Sequence, residues 1–257
     1  EKHGDDDFSF SIHGLSRFRI STYKQRGSYA AVIRVISFDL PIPKEIGISD
    51  EIIHLVDIKK GLILVTGPAG SGKSTTQACM IDHINKTQSK HIITLEDPIE
   101  YLHSHNQSIV SQREISLDSE SYVSALRAAL RQAPDVILLG EMRDFETINI
   151  ALTAAETGHN VISTLHTLGA ASTIDRIIDV FPANQQHQIA IQLSMTLETV
   201  ISQQLVRTID GKLIPAFEIM VVTPAIRNMI RDNKIHQIDG VIASSADSRM
   251  ISMDNSL

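Results

Sequence analysis

A single cysteine, Cys79, stands among 257 residues, so no intrachain disulfide and no cysteine-based zinc site can form. Tryptophan is absent and aromatic residues make up only 4% of the chain, which leaves little for the stacking platforms that hold single-stranded nucleic acid. Positive charge is in deficit. The formal net charge is −7 and the pI is near 5.9, which argues against a generally basic nucleic-acid binder while leaving room for a local basic groove. No apolar run reaches the length of a membrane span, and no signal-peptide pattern opens the chain. A cytoplasmic protein with no transmembrane segment is expected. The opening stretch, residues 1–7, is polar, and an upstream portion is expected to be missing from it. What the chain does have is apolar mass: 42% of its residues are hydrophobic, enough for a sizeable core rather than disorder.

The stretch Gly67-Pro68-Ala69-Gly70-Ser71-Gly72-Lys73-Ser74-Thr75 fits the phosphate-cradling pattern G-x-x-x-x-G-K-[ST]. The apolar run Leu62-Ile63-Leu64-Val65 leads in like a buried strand, and a helix-compatible run from Thr75 to Asn85 leads out. Glycines let successive backbone N–H groups turn toward one anion, where a Cβ would block the approach. The helix N-terminus adds partial positive charge. Lys73 is placed to reach the β- and γ-phosphates of a nucleotide, and the Ser74 hydroxyl to sit on Mg²⁺. The dinucleotide fingerprint G-x-G-x-x-G is absent. Cys79 falls in the helix after the loop and reads as a small core residue.

Residues 8–38 alternate as strands do: Phe8, Phe10 and Ile12, then Phe18 and Ile20, then Ala31, Ile33 and Val35, with turn-prone Gly14 and Gly27 between them. Arg17, Arg19, Arg26 and Arg34 decorate this sheet. Pro41-Ile42-Pro43 stiffens the chain and blocks ladder hydrogen bonds, so it marks a linker. Residues 1–43 are expected to form a partial N-terminal domain and linker, and residues 44–257 a second domain. A short helix is expected over 49–59. Beyond residue 60, β-branched runs alternate with helical patterns, which implies a parallel sheet with helices on its faces. Residues 119–132 read as a helix stopped by Pro134. Residues 184–204 read as one long helix with Ile189, Leu193, Leu197, Val200 and Ile201 inward. Asp210-Gly211 signals a hairpin, and Thr223 to Asp232 a further helix.

In open parallel sheets, ligands bind beyond the carboxyl ends of the strands. Here the phosphate loop follows Leu62–Val65, Glu96 and Asp97 follow Ile92–Leu95, Gly140 and Glu141 follow Val136–Leu139, and His166 follows Val161–Leu165. Phosphoryl transfer needs Mg²⁺ to neutralise the phosphates and an oxygen acceptor to orient water. Glu141 stands where a metal-facing acid belongs and Glu96 where a water-orienting one does; the spacing leaves the reverse assignment open, and either carboxylate could instead cap the next helix. His166 is placed to sense the γ-phosphate. His159, at the start of its strand, is expected away from it, and His103 and His105 are expected to be solvated.

Four blocks together resemble the secretion and type IV pilus motor ATPases: Gly67–Thr75; Ile93 to Tyr101, similar to that family's Asp box; Ala133 to Asp144, similar to its Walker B block; and Thr157-Gly158-His159 with Thr164-Leu165-His166-Thr167, similar to its His box. Ala225-Ile226-Arg227-Asn228-Met229-Ile230-Arg231-Asp232 is similar to a signature of the retraction branch. The resemblance implies an α/β fold, with a RecA-like P-loop ATPase domain on a mostly parallel sheet and a partial PAS-like α+β domain before it. It also implies ATP as the nucleotide, and a homohexamer at the inner face of the cytoplasmic membrane, working on a pilus platform protein and driving retraction and twitching motility. Arg17, Arg19 and Arg26 match the family's arginine-bearing stretches and are thereby implied to sense phosphate charge in cis or in trans. Ala190 and Arg249 depart from the pattern, where an arginine and a glycine are expected. An assembly or type II secretion motor of the same family, a RecA-like nucleic-acid motor and a nucleotide-binding regulator without turnover are the alternatives.

Overall fold

A computed structural model describes residues 5–12, 16–36, 39–142 and 144–257; Gly14, expected in a turn, and Arg143, within the Ala133 to Asp144 block, lie outside them. The first three strands, β1 (Asp5–Ile12), β2 (Ser16–Gln25) and β3 (Ser28–Ile36), form an antiparallel sheet in that order. Phe10 and Phe18 stack across it with centroids 5.3 Å apart. Pro43–Ile46 then forms a 3₁₀ turn that ends on Gly47 in the left-handed region. The expected helix over 49–59 is shorter than that: α1 (Asp50–Ile53) runs straight into a 3₁₀ turn at His54–Val56. Ile52, Ile53 and Val56 are its buried side, as the apolar spacing implied.

The larger sheet has seven strands: β4 (Gly61–Thr66), β5 (His91–Glu96), β6 (Ile109–Glu114), β7 (Val136–Leu139), β8 (Asn160–Leu165), β9 (Leu197–Arg207) and β10 (Leu213–Val221). They lie in the order β10-β9-β4-β8-β7-β5-β6. All pairs are parallel except β10 on β9. The helices between them are α2 (Lys73–Thr87), α3 (Tyr122–Ala129), α4 (Phe145–Glu156), α5 (Ala170–Asp179) and α6 (Ala183–Thr196); α7 (Pro224–Arg231), α8 (Ile238–Ala243) and α9 (Met253–Ser256) follow the last strand. Helices cover both faces, so a central strand such as β4 is apolar on both sides. Leu62 and Leu64 enter the core under α4, α5 and α6, while Ile63 and Val65 enter the one under α1 and α2. Ser121, Asp144 and Thr223 cap α3, α4 and α7 by accepting from the backbone N–H three residues on, which satisfies donors the helix leaves open.

Two expectations need correction. Residues 184–204 are not one helix: α6 ends at Thr196 and β9 begins at Leu197. Leu197, Val200 and Ile201 fit a helical spacing, but Thr199-Val200-Ile201 is β-branched and lies fully buried beside β4, where packing in the sheet outweighs the pattern. The expected helix over 119–132 is trimmed to Tyr122–Ala129. β6 gives no strand signal in the sequence, because Ile109-Val110-Ser111-Gln112-Arg113-Glu114 carries only two apolar residues.

Candidate functional site

The carboxyl ends of β4, β5, β7 and β8 open into one cleft of about 290 Å³. Ala69, Gly70, Lys73 and Ser74 line it from the phosphate loop, Glu96 from the end of β5, and Glu141 and His166 from just beyond β7 and β8. The loop itself, Gly67 to Gly72, turns from the end of β4 into the first residue of α2, Lys73. Two of its glycines are required sterically. A Cβ on Gly67 would come within 2.1 Å of the Gln203 carbonyl oxygen, and one on Gly72, at φ +89°, within 2.9 Å of the Gln203 side-chain amide. Neither backbone shape suits a larger residue.

Lys73 Nζ donates to the carbonyls of Gly67 and Pro68, both at 2.9 Å, and lies 3.5 Å from His166 Nδ1. Burial lowers the ammonium's pKa, against the opposing pull of Glu141 and Glu100. His166 Nε2 is 3.4 Å from a Glu141 oxygen, and the Glu141 side chain is only 12% exposed. A lysine, a histidine and a carboxylate thus form a chain across the rim. Glu96 Oε1 accepts from Thr94 Oγ1 at 2.6 Å and from Gln112 Nε2 at 3.2 Å. Burial nevertheless pushes this carboxyl up to about 7, the two hydrogen bonds opposing the shift. A carboxyl poised there can accept a proton from water at neutral pH. Ser74 and Glu141 offer hard oxygen donors in the same cleft, the donor type Mg²⁺ takes.

Residues to which the motifs assign no role complete the site. Gln203, on β9 and 2% exposed, accepts from Thr76 Oγ1 at 2.7 Å and donates through Nε2 to the Ser71 carbonyl. Tyr101 meets the Thr75 hydroxyl at 3.0 Å. Tyr122 and His103 also line the cleft. His103 corrects an expectation: it is not a solvated loop residue. Burial lowers its ring to about 4, so it is neutral at physiological pH. His105 is exposed, and its Nδ1 accepts from Val110 N–H. His159 sits at the far rim, Nδ1 against the Ala154 carbonyl at 2.9 Å.

The expected arginines lie apart from the cleft. Arg17 pairs with Glu114 at 2.9 Å, Arg19 lies 3.9 Å from Asp7, and Arg26 occupies the β2–β3 turn at φ +47°. Among the described residues no arginine lines the cleft. Arg19 and Arg34 instead line a separate recess with Ile99, Glu100 and Tyr101. Of the two departures from the family pattern, Ala190 is buried on α6, and Arg249 pairs with Asp247 at 2.7 Å.

Residues 4–233 match the family model described as "Type II/IV secretion system protein". The chain belongs to this family. It is a PilT-like ATPase: it is 48% identical over 250 residues to the type IV pilus retraction ATPase PilT of Pseudomonas aeruginosa, covering 97% of this chain and 73% of that protein. A twitching motility protein of Neisseria gonorrhoeae is also 48% identical, over 98% of this chain and 67% of its own length. A crystal structure of the pilus retraction motor PilT with bound ADP superposes with a TM-score of 0.89 at 49% identity, covering 100% of this chain and 77% of that one. That likeness bears out the mostly parallel α/β sheet and the antiparallel sheet before it. Among the described residues no helix is long and apolar enough to cross a membrane.

Proposed function

We propose that this chain hydrolyses ATP in the cleft between β4, β5, β7 and β8 and, as a homohexamer, converts the cycle into type IV pilus retraction. The observation that carries the proposal is the meeting of Lys73, Ser74, Glu96, Glu141 and His166 at one sheet rim. The loop residues Gly67 to Thr75 cradle the α- and β-phosphates through backbone N–H groups at the start of α2. Lys73 exchanges its two carbonyl partners for phosphate oxygens. Glu96 orients the attacking water and receives its proton, because its carboxyl is the one burial has raised to about 7. Ser74 and Glu141 hold the Mg²⁺, which when bound neutralises phosphate charge. His166 lies between Lys73 and Glu141 and registers whether a γ-phosphate is there.

Arg17, Arg19 and Arg26 belong to the same reading as phosphate sensors from the N-terminal sheet, either after it rotates toward the cleft or across a subunit boundary. Residues 1–43 then act as the moving part on the 44–257 ATPase unit. The work is delivered at the cytoplasmic face of the inner membrane, on a platform protein. Nucleic acid has no part in it.

The test is Mg²⁺-dependent ATPase activity of the wild type beside Lys73→Ala. The reading expects loss of turnover in the variant; activity that survives the substitution rejects it. In cells, deletion is expected to leave cells with unretracted pili, whereas loss of pili would assign the chain to assembly instead.

A further inference from the structure

A second cluster of ligand-type side chains stands at the opposite end of α2 from the phosphate loop. His54 comes from the 3₁₀ turn after α1, Asp57 from the residue that closes that turn, and His83 from α2. His54 Nδ1 lies 2.7 Å from Asp57 Oδ2, and His83 Nε2 lies 3.0 and 3.1 Å from the two Asp57 oxygens. All three ligand atoms fall within 4.8 Å of one another. The two imidazoles meet edge to face, centroids 4.7 Å apart. Gln88 Nε2 also donates to Asp57 Oδ1, at 2.7 Å.

We propose that His54, Asp57 and His83 form a surface site for a borderline divalent transition ion, Zn²⁺ above all, that clasps the end of the phosphate-loop helix to the segment before β4. Two imidazoles and one carboxylate are a donor set that suits zinc, with a fourth position left to water. Metal–ligand bonds of about 2.0–2.2 Å in a tetrahedron separate ligand atoms by roughly 3.3 Å. The two histidine–Asp57 separations, 2.7 to 3.1 Å, need only a few tenths of an ångström of opening, and the two imidazole nitrogens lie within 4.8 Å of each other, close enough for side-chain rotation to bring both onto one ion. The side chains are 60% (His54), 35% (Asp57) and 15% (His83) exposed, so an ion can enter and the fourth ligand has room. Gln88 supplies the outer hydrogen bond that such carboxylates use for orientation. Mg²⁺ is not the ion for this site, because it prefers an all-oxygen shell. The site is also separate from the nucleotide cleft. His83 is ten residues beyond Lys73, about 15 Å along the helix, and none of the three residues lines the cleft.

The experiment titrates ZnCl₂ into the chelator-treated, nucleotide-free full chain, with metal content and affinity read directly. The expected result is one tight Zn²⁺ per chain, and a raised unfolding temperature with the metal bound. The double variant His54→Gln/His83→Gln should weaken that binding by about 100-fold or more, and Gln88→Ala by about 10- to 100-fold. Retained Mg²⁺-dependent ATPase activity reports that each variant is folded, since these residues lie outside the phosphate machinery. Replacing Zn²⁺ by Co²⁺ should give d–d bands of low coordination number in the wild type alone. Equal zinc uptake by wild type and double variant, or no tight uptake by the wild type, overturns the proposal.

Discussion

Glu96 holds its proton to about pH 7 because burial costs the carboxylate more than Thr94 and Gln112 return. The folded pKa lies above the unfolded one, so the folded state binds the extra proton between the ordinary value of 4.5 and about 7. Stability from this group is therefore present at the acid side and lost as pH rises through that window. Glu96→Gln is expected to unfold at a higher temperature than the wild type at pH 8, with the gap closing near pH 5. Calorimetry of nucleotide-free protein at the two pH values checks it, and an unchanged gap contradicts it. Turnover of the wild type should fall below about pH 7 as the same carboxyl protonates. Gln203 makes a second residue-level test. Gln203→Ala strands the buried Ser71 carbonyl and Thr76 hydroxyl, at a cost of about 1–3 kcal/mol, and should weaken nucleotide binding; an unaltered affinity by titration would show the loop holds itself. Lys73 and the loop glycines were legible because their chemistry sits in nine consecutive residues. Gln203 was not, because its partners are 127 and 132 positions away. Cys79 is a core residue, as its place in the helix implies: buried, with its thiol pushed up to about 11.

The elements that position these groups differ in how plainly they read. β4, β5, β7 and β8 are short apolar runs bounded by turn residues, and each was placed from sequence. β9 was hidden because leucine and isoleucine at three- and four-residue spacing satisfy both helix and strand until the neighbours are known. β6 was hidden because a half-exposed edge strand needs few apolar residues. That edge is where the two sheets meet. Glu114, at the end of β6 and 4% exposed as a residue, is satisfied in part by Ile99 N–H, and from the small sheet by Arg17 and Ser9 Oγ at 2.8 Å. Removing one partner of such a buried pair leaves a charge uncompensated, at a cost of about 3 kcal/mol. Arg17→Ala is thus expected to loosen β1–β3, with faster amide exchange there and β4 unchanged. Equal protection in both proteins would mean that Arg17 does not fasten the small sheet.

At the scale of the whole molecule, the sheet order brings four strand ends from residues 66 to 165 to one rim, and this is what the sequence order alone implied. The small sheet shows apolar side chains to solvent, Tyr29, Val32, Ile33 and Val35 among them; the alternation of Ala31, Ile33 and Val35 implies the strand but not that adjacent Val32 and Ile33 are both exposed. The proposed ring makes a separate expectation. Sizing with ATP and Mg²⁺ should give a species of six chains, and a monomer under all conditions would remove the ring from the account. The central claim is narrower: Glu96 and Glu141 act on one bound nucleotide held by Lys73. It is tested most directly by single-turnover hydrolysis with wild type, Glu96→Gln and Glu141→Gln at saturating ATP and Mg²⁺. The account expects both variants still to bind ATP and to hydrolyse it about 10²-fold or more slowly. Wild-type turnover in either variant would contradict it.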